Sequence, residues 1–138
     1  MRQAPNDGSS SEVLSLPAVL LLEHHPQEAA FVSSILKDVM RADLWLWHES
    51  DFSHAEHLLA YCRFRLILLD SGFAKRLSVR ALVRRIQGLS QGTPIVLRVP
   101  PEDLPAEPDP RLYGVAAVVP RGVGTPTERA IRQALNLR

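Results

Sequence analysis

The chain has 138 residues, a formal net charge of +1 and a single cysteine, Cys62. A chain of this length can bury the core of one domain without disulfides or metal ions. The near-neutral charge argues against nucleic acid as a partner, and the apolar runs are too short to cross a membrane. The lone cysteine and the lack of a signal-peptide pattern lead us to expect a cytoplasmic protein.

The first segment, residues 1–16, is polar and contains three successive serines. We expect it to be a flexible tail ahead of one domain at residues 17–138. The run Ala18–Glu23 predicts a strand buried on both faces, because its apolar residues do not alternate with polar ones. Pro26 then suits the first turn of a helix. The apolar residues of this helix recur on one face: Phe31, Val32, Ile35, Leu36, Val39 and Met40.

A second strand is predicted at Leu44–Trp47, with a second helix after it. Ser53 and Glu56 have the spacing of a capping box, in which each side chain bonds an amide at the start of the helix. The third strand, Phe64–Leu69, is again an unbroken apolar run and is followed directly by Asp70. A strand of this composition belongs in the centre of a sheet.

A third helix is predicted from Ser78 to Leu89, and a fourth strand at Ile95–Val99. Five prolines then lie between Pro100 and Pro110. Proline lacks an amide donor and disfavours helical geometry in the residue before it, so we expect the fourth helix to be shortened or lost. A last strand is predicted at Val115–Val119, and a last helix follows a capping box at residues 125–128.

Strands that alternate with helices predict a doubly wound α/β fold with a parallel sheet of five strands. Ligands of such sheets collect at the carboxyl ends of the strands. Glu23, His24 and Asp70 follow two of these ends, and they converge if the two strands are neighbours. Carboxylate and imidazole groups together suit a transition metal, so a small metal-dependent hydrolase is one interpretation.

Four motifs, in order, resemble the receiver domain of bacterial response regulators over residues 17–137. Leu22–Pro26 resembles the acidic-pair motif of that family, and Leu66–Asp70 resembles the strand that carries the phosphate-accepting aspartate. Gly92–Leu97 resembles the entry to the fourth strand, and Gly114–Arg121 resembles the last strand with its basic residue. The resemblance implies a flavodoxin-like fold with strand order 2-1-3-4-5, in which Asp70 is the phosphoacceptor equivalent.

The metal site of the family is altered in this sequence. The second acidic residue of the family is replaced by His24, which leaves a degenerate pocket of Glu23, His24 and Asp70. Magnesium, which the family uses, prefers oxygen ligands in octahedral geometry, and a neutral imidazole is a poor substitute. We therefore expect no resident cofactor, and any magnesium binding is weakened by His24.

Three positions that contact the phosphoryl group or switch with it in the family also differ. The family's lysine corresponds to Arg121, which keeps the positive charge and is the equivalent phosphate contact. The hydroxyl residue at the end of the fourth strand corresponds to Val99, and the aromatic residue of the fifth strand corresponds to Val118. The resemblance therefore implies a degenerate receiver, or pseudo-receiver, with altered switch positions.

This combination predicts a module of bacterial two-component signalling that acts by protein–protein interaction, is not an enzyme and is independent of phosphorylation. The expected partner is a signalling protein or a histidine kinase, and homodimerisation is a further option. Arg76, Arg80 and Arg84 are spaced by four and predict a docking face for an acidic partner, although an ordinary solvated helix face has the same pattern. The alternative function is a receiver that accepts a phosphoryl group on Asp70 from a histidine kinase.

Overall fold

The strands and helices alternate along the chain in the computed structural model, which describes residues 13–39 and 44–136. The strands are β1 (Leu14–Ser15), β2 (Ala18–Leu22), β3 (Trp45–Glu49), β4 (Cys62–Arg63), β5 (Leu66–Asp70), β6 (Ile95–Val99) and β7 (Ala117–Pro120). The helices are α1 (Pro26–Val39), α2 (Phe52–Tyr61), α3 (Val79–Ser90) and α4 (Gly124–Ala134).

Five of these strands form one parallel sheet in the order β3-β2-β5-β6-β7. Numbered by themselves along the chain, they have the order 2-1-3-4-5, so the predicted flavodoxin-like sheet is confirmed. Every residue of β2, β5 and β6 is buried, which matches the unbroken apolar runs of these strands. The sheet is therefore covered by helices on both faces.

Alternate residues of each strand point to opposite faces of the sheet and contribute to two separate cores. Leu20 and Leu22 belong to the core that α2 and α3 cover. Val19 and Leu21 belong to the core that α1 and α4 cover. The residues that directly follow β2 alternate in the same way, so successive polar side chains there lie on opposite sides of the sheet.

The segment between β6 and β7 contains two short 3₁₀ turns, Pro101–Asp103 and Pro110–Leu112, in place of a full helix. The predicted loss of the fourth helix is therefore confirmed. Each turn has a proline at its first position, where a missing amide costs nothing, and neither turn is extended into an α-helix.

Both predicted capping boxes are wrong. Helix α2 begins at Phe52, and Asp51 is its cap, with Oδ2 accepting from the amide of His54 at 3.0 Å. The earlier start lets the Phe52 ring pack edge-on against Phe73, with the ring centroids 6.2 Å apart. Helix α4 begins at Gly124 with Val123 as its N-cap, which makes no side-chain capping bond, so the predicted cap Thr125 is already inside the first turn.

The end of the segment expected to be a tail is paired with the rest of the chain. Leu14 and Ser15 lie beside Cys62 and Arg63 in a separate two-stranded parallel ladder. The rest of that prediction, residues 1–12, lies outside the described residues, as does Met40 of the first predicted helix. Among the described residues, no helix is long and apolar enough to cross a membrane.

Candidate functional site

Two carboxylates lie side by side where β2 and β5 end. Leu22 and Leu69 are paired in the sheet, so Glu23 and Asp70, which follow them, reach the same edge. Both side chains are buried, with exposed fractions of 0% and 1%. A buried carboxylate is costly unless cations or hydrogen-bond donors compensate its charge, so the donors around these two define the site.

Arg98 of β6 compensates Glu23. It is paired with Asp70 in the register of β5 and β6, and it is 0% exposed. Its Nη1 donates to Glu23 Oε1 at 2.7 Å, and its Nη2 donates to Glu28 Oε1, in the first turn of α1, at 2.6 Å. One guanidinium therefore links the end of β2 to the start of α1 beneath the surface. Hydrogen bonds between a guanidinium and a carboxylate, in which both partners are charged, are among the stronger ones in proteins.

The second oxygen of Glu23 is also occupied. Oε2 accepts from the backbone amide of His25 at 3.0 Å and lies 3.1 Å from Nδ1 of the same residue. Burial by itself would raise the pKa of Glu23, but the His25 hydrogen bonds and the charge of Arg98 outweigh it and hold the pKa below its ordinary value. Glu23 is therefore a carboxylate whose ionised form is built into the fold.

Arg121 compensates Asp70 in the same manner. Its Nε donates to Asp70 Oδ1 at 3.0 Å and its Nη2 donates to the same oxygen, while the amide of Gly72 donates to Oδ2 at 3.0 Å. The Arg121 backbone is held by its amide, which donates to the Val99 carbonyl at 2.7 Å. Burial alone would lower the pKa of Arg121, but the hydrogen bond and charge of Asp70 raise it.

His24 does not join this group. It follows Glu23 by one residue, so its side chain lies on the α2/α3 side of the sheet, where it stacks on Phe73 with the ring centroids 5.2 Å apart. Its Nε2 is buried and has no hydrogen-bond partner among the described residues. The structure thus brings Glu23 and Asp70 to one edge and leaves His24 on the other face.

The donor set of this site does not fit a magnesium ion. Each oxygen of Glu23 and Asp70 already accepts a hydrogen bond. Two guanidinium groups neutralise the two carboxylates, whereas a site for a divalent cation requires net negative charge. Within residues 13–39 and 44–136, no three His, Cys, Asp or Glu side chains are grouped so that they could hold a metal ion. The metal-dependent hydrolase therefore has no support from the geometry.

The other predicted positions lie around this edge or away from it. Val99 ends β6, and Val118 of β7 is partly buried and packs against the core that α2 and α3 cover. Neither side chain carries a polar atom. Arg76, Arg80 and Arg84 are exposed along α3 and in the loop before it.

Sequence reasoning missed Arg98 and Glu28. The signal for Arg98 was present, because a charged residue inside an otherwise apolar and buried strand requires a buried partner. Its position two residues after Val96 places it on the α1/α4 side of the sheet, together with Glu23. Glu28 carries no comparable signal, since acidic residues are common in the first turn of any helix.

No family model matches the chain, and no curated protein matches it. Solved structures do match. The N-terminal domain of a response regulator from Carboxydothermus hydrogenoformans is 17% identical, with a TM-score of 0.68, and the match covers 86% of this chain and 94% of that one. A signal receiver domain from Clostridium thermocellum is 14% identical, with a TM-score of 0.64 and coverages of 87% and 98%.

A third similar structure carries a metal. The receiver domain of a sensor histidine kinase from Pseudomonas aeruginosa PAO1 is 15% identical, with a TM-score of 0.67 and coverages of 86% and 97%. That protein has a magnesium ion coordinated in its active site cleft. At these identities the likeness concerns the fold, and the chain has the fold of a signal receiver domain.

Proposed function

We propose that this chain, which has the receiver fold, is a pseudo-receiver that serves two-component signalling by binding other proteins, without phosphorylation of Asp70. One observation carries the proposal. The buried guanidinium of Arg98 is bonded to Glu23 and Glu28. A permanent positive charge thus lies in the acidic pocket, at the place where the resemblance to receiver domains implies a metal ion.

The two guanidinium groups of the site oppose the phosphoryl-transfer step. Phosphoryl transfer to a carboxylate requires cations that offset the charge of the incoming group, and receivers recruit magnesium for this purpose. Magnesium here would meet two guanidinium groups that are already paired with the same carboxylates. The ion would have to displace Arg98 from a site with no exposure to solvent, which would strand a buried charge.

A phosphoryl group on Asp70 would also have little effect on the conformation of the protein. A ligand or modification shifts an equilibrium only through interactions that differ between the two states. Val99 has no hydroxyl to bond a phosphoryl oxygen, and Val118 has no ring to reorient. Phosphorylation would therefore couple poorly to the rest of the fold, which supports a module whose binding surface is constant.

A second candidate, a receiver phosphorylated on Asp70 by a histidine kinase, is favoured by the Asp70–Arg121 pair. Arg121 lies at the position of the family's phosphate-contacting lysine and is bonded to the expected acceptor. The two candidates differ in one measurable outcome, which is whether Asp70 takes up a phosphoryl group in the presence of magnesium.

The experiment exposes the protein to acetyl phosphate and magnesium and follows the intact mass. We expect no phosphorylated species for the wild type. The matched variant is Arg98→Ser, which removes the buried guanidinium and frees the carboxylates of Glu23 and Glu28, and it should gain magnesium-dependent phosphorylation. Stoichiometric phosphorylation of the wild type, lost in Asp70→Asn, would contradict the proposal and establish the second candidate.

A further inference from the structure

A cavity of about 530 Å³ opens between α2 and α3, on the opposite side of the sheet from the Glu23–Arg98 pair. Its apolar wall includes Phe52, Phe73 and Leu77. Leu77 is 36% exposed, so part of this apolar surface faces solvent. His24 also lines the cavity, and its Nε2 is buried and has no hydrogen-bond partner among the described residues.

The charges around the cavity are unbalanced. Of the acidic residues that line it, Asp51 caps α2 and Glu56 is paired with Arg85. Lys75 and Arg76 also line it and are exposed, and within the described part of the chain neither makes an ion pair. Three basic residues, Lys75, Arg76 and Arg85, thus outnumber Asp51 and Glu56, and the lining of the cavity carries a net positive charge.

The positive charge extends beyond the cavity along α3. Arg80 and Arg84 are exposed and make no ion pair with any described residue, and α3 has no acidic residue. Arg80 and Ala81, which lines the cavity, are consecutive, so the arginine row adjoins the cavity mouth. A small molecule confined to the cavity would leave this row unused, whereas an extended chain could pair with both features.

We infer that the α2/α3 cavity and the adjoining arginine row together bind an acidic protein segment that inserts one tryptophan or tyrosine. The aromatic ring packs against Phe52, Phe73 and Leu77, beside His24, which also lines the cavity. The flanking carboxylates pair with Lys75, Arg76, Arg80 and Arg84. This inference rests on the proposed function, since it names the binding surface of the interaction module.

The test uses a synthetic, dye-labelled peptide in which glutamates flank one tryptophan. Binding to the full chain is followed by fluorescence anisotropy, and the contact site is read from amide shifts of ¹⁵N-labelled protein. We expect shifts at residues 73–85. Replacing the tryptophan by alanine, or the glutamates by glutamine, should each weaken binding about tenfold, which corresponds to about 1.4 kcal/mol.

Protein variants separate the surface from general attraction of charge. Arg80→Glu combined with Arg84→Glu should weaken binding at least about tenfold. The matched control combines Lys37→Glu on α1 with Arg129→Glu on α4, two exposed residues, and makes the same change in net charge. It should bind as the wild type does. Ala81→Phe, which fills the cavity without changing charge, should also abolish the contribution of the tryptophan.

Three results would overturn the inference. The first is equal weakening in the control and in the arginine variant, and the second is a wild type that does not bind the peptide either with or without magnesium and beryllofluoride. The third is N-acetyltryptophan binding as tightly as the peptide, which would make the cavity a small-molecule site. Repeating the titration with magnesium and beryllofluoride distinguishes this inference from the proposed function. Binding of the peptide only in the presence of magnesium and beryllofluoride would support the binding surface inferred here and would refute the proposal that binding is independent of phosphorylation.

Discussion

Arg98 is a buried cation that two carboxylates hold at the end of the sheet. Its guanidinium is 0% exposed and bonded to Glu23 and Glu28 at 2.7 and 2.6 Å. Burying such a pair is not by itself stabilising, but removing one partner leaves a buried charge and costs on the order of 3–5 kcal/mol. Breaking the pair therefore costs free energy. A cation that displaced Arg98 would have to supply that free energy through its own binding.

Glu23 should give the protein a pH-dependent stability. Its pKa in the fold lies below the ordinary value of 4.5, so its contribution is complete above that pH and is lost as the pH falls through the lowered pKa. We expect Glu23→Gln to lower the free energy of unfolding at neutral pH, with a difference from the wild type that shrinks as the solution is acidified below 4.5.

Urea unfolding at a series of pH values measures this difference. Glu107→Gln is the matched control, because Glu107 is exposed, and its unfolding curves should follow those of the wild type throughout. A Glu23→Gln difference that stays constant down to the lowest pH would show that the ionised form of Glu23 is not what the fold stabilises.

At the scale of the elements, the strand and helix types and the starts of α1 and α3 were predictable, whereas the starts of α2 and α4 were not. The strands β2, β5 and β6 are unbroken apolar runs that only a doubly covered sheet accommodates. At α2, by contrast, Asp51 and Ser53 are both good capping residues, and local propensity does not choose between them. The packing of Phe52 on Phe73, which is a tertiary contact, selects Asp51.

A pair of cap variants tests that assignment. Asp51→Ala should lower the free energy of unfolding by about 1 kcal/mol, because the His54 amide loses its acceptor. Ser53→Ala, inside the helix, should change it by less than about 0.5 kcal/mol. Thermal or urea unfolding of the two proteins compares them directly. The reverse order of effects would restore Ser53 as the cap.

At the scale of the whole molecule, the sequence predicts the edge that carries the site and its two carboxylates, but not which face each neighbouring residue occupies or that Glu28 joins them. The register of neighbouring strands brings Glu23 and Asp70 together, as the sheet order implies. The alternation of side chains also places Glu23 and His24 on opposite faces of the sheet, although the two residues are consecutive and were predicted to lie in one pocket. Glu28 enters from α1 only through the packing of that helix on the sheet, for which the sequence carries no local signal.

The central claim is that Arg98 and Arg121 occupy the acidic pocket in place of a metal ion. The most direct measurement is a magnesium titration of ¹⁵N-labelled wild-type protein, followed through the amides of Glu23, Asp70 and Gly72. We expect no saturable shift in the wild type and a saturable shift in Arg98→Ser, in which the carboxylates of Glu23 and Glu28 are free. A saturable shift at these amides in the wild type would contradict the account.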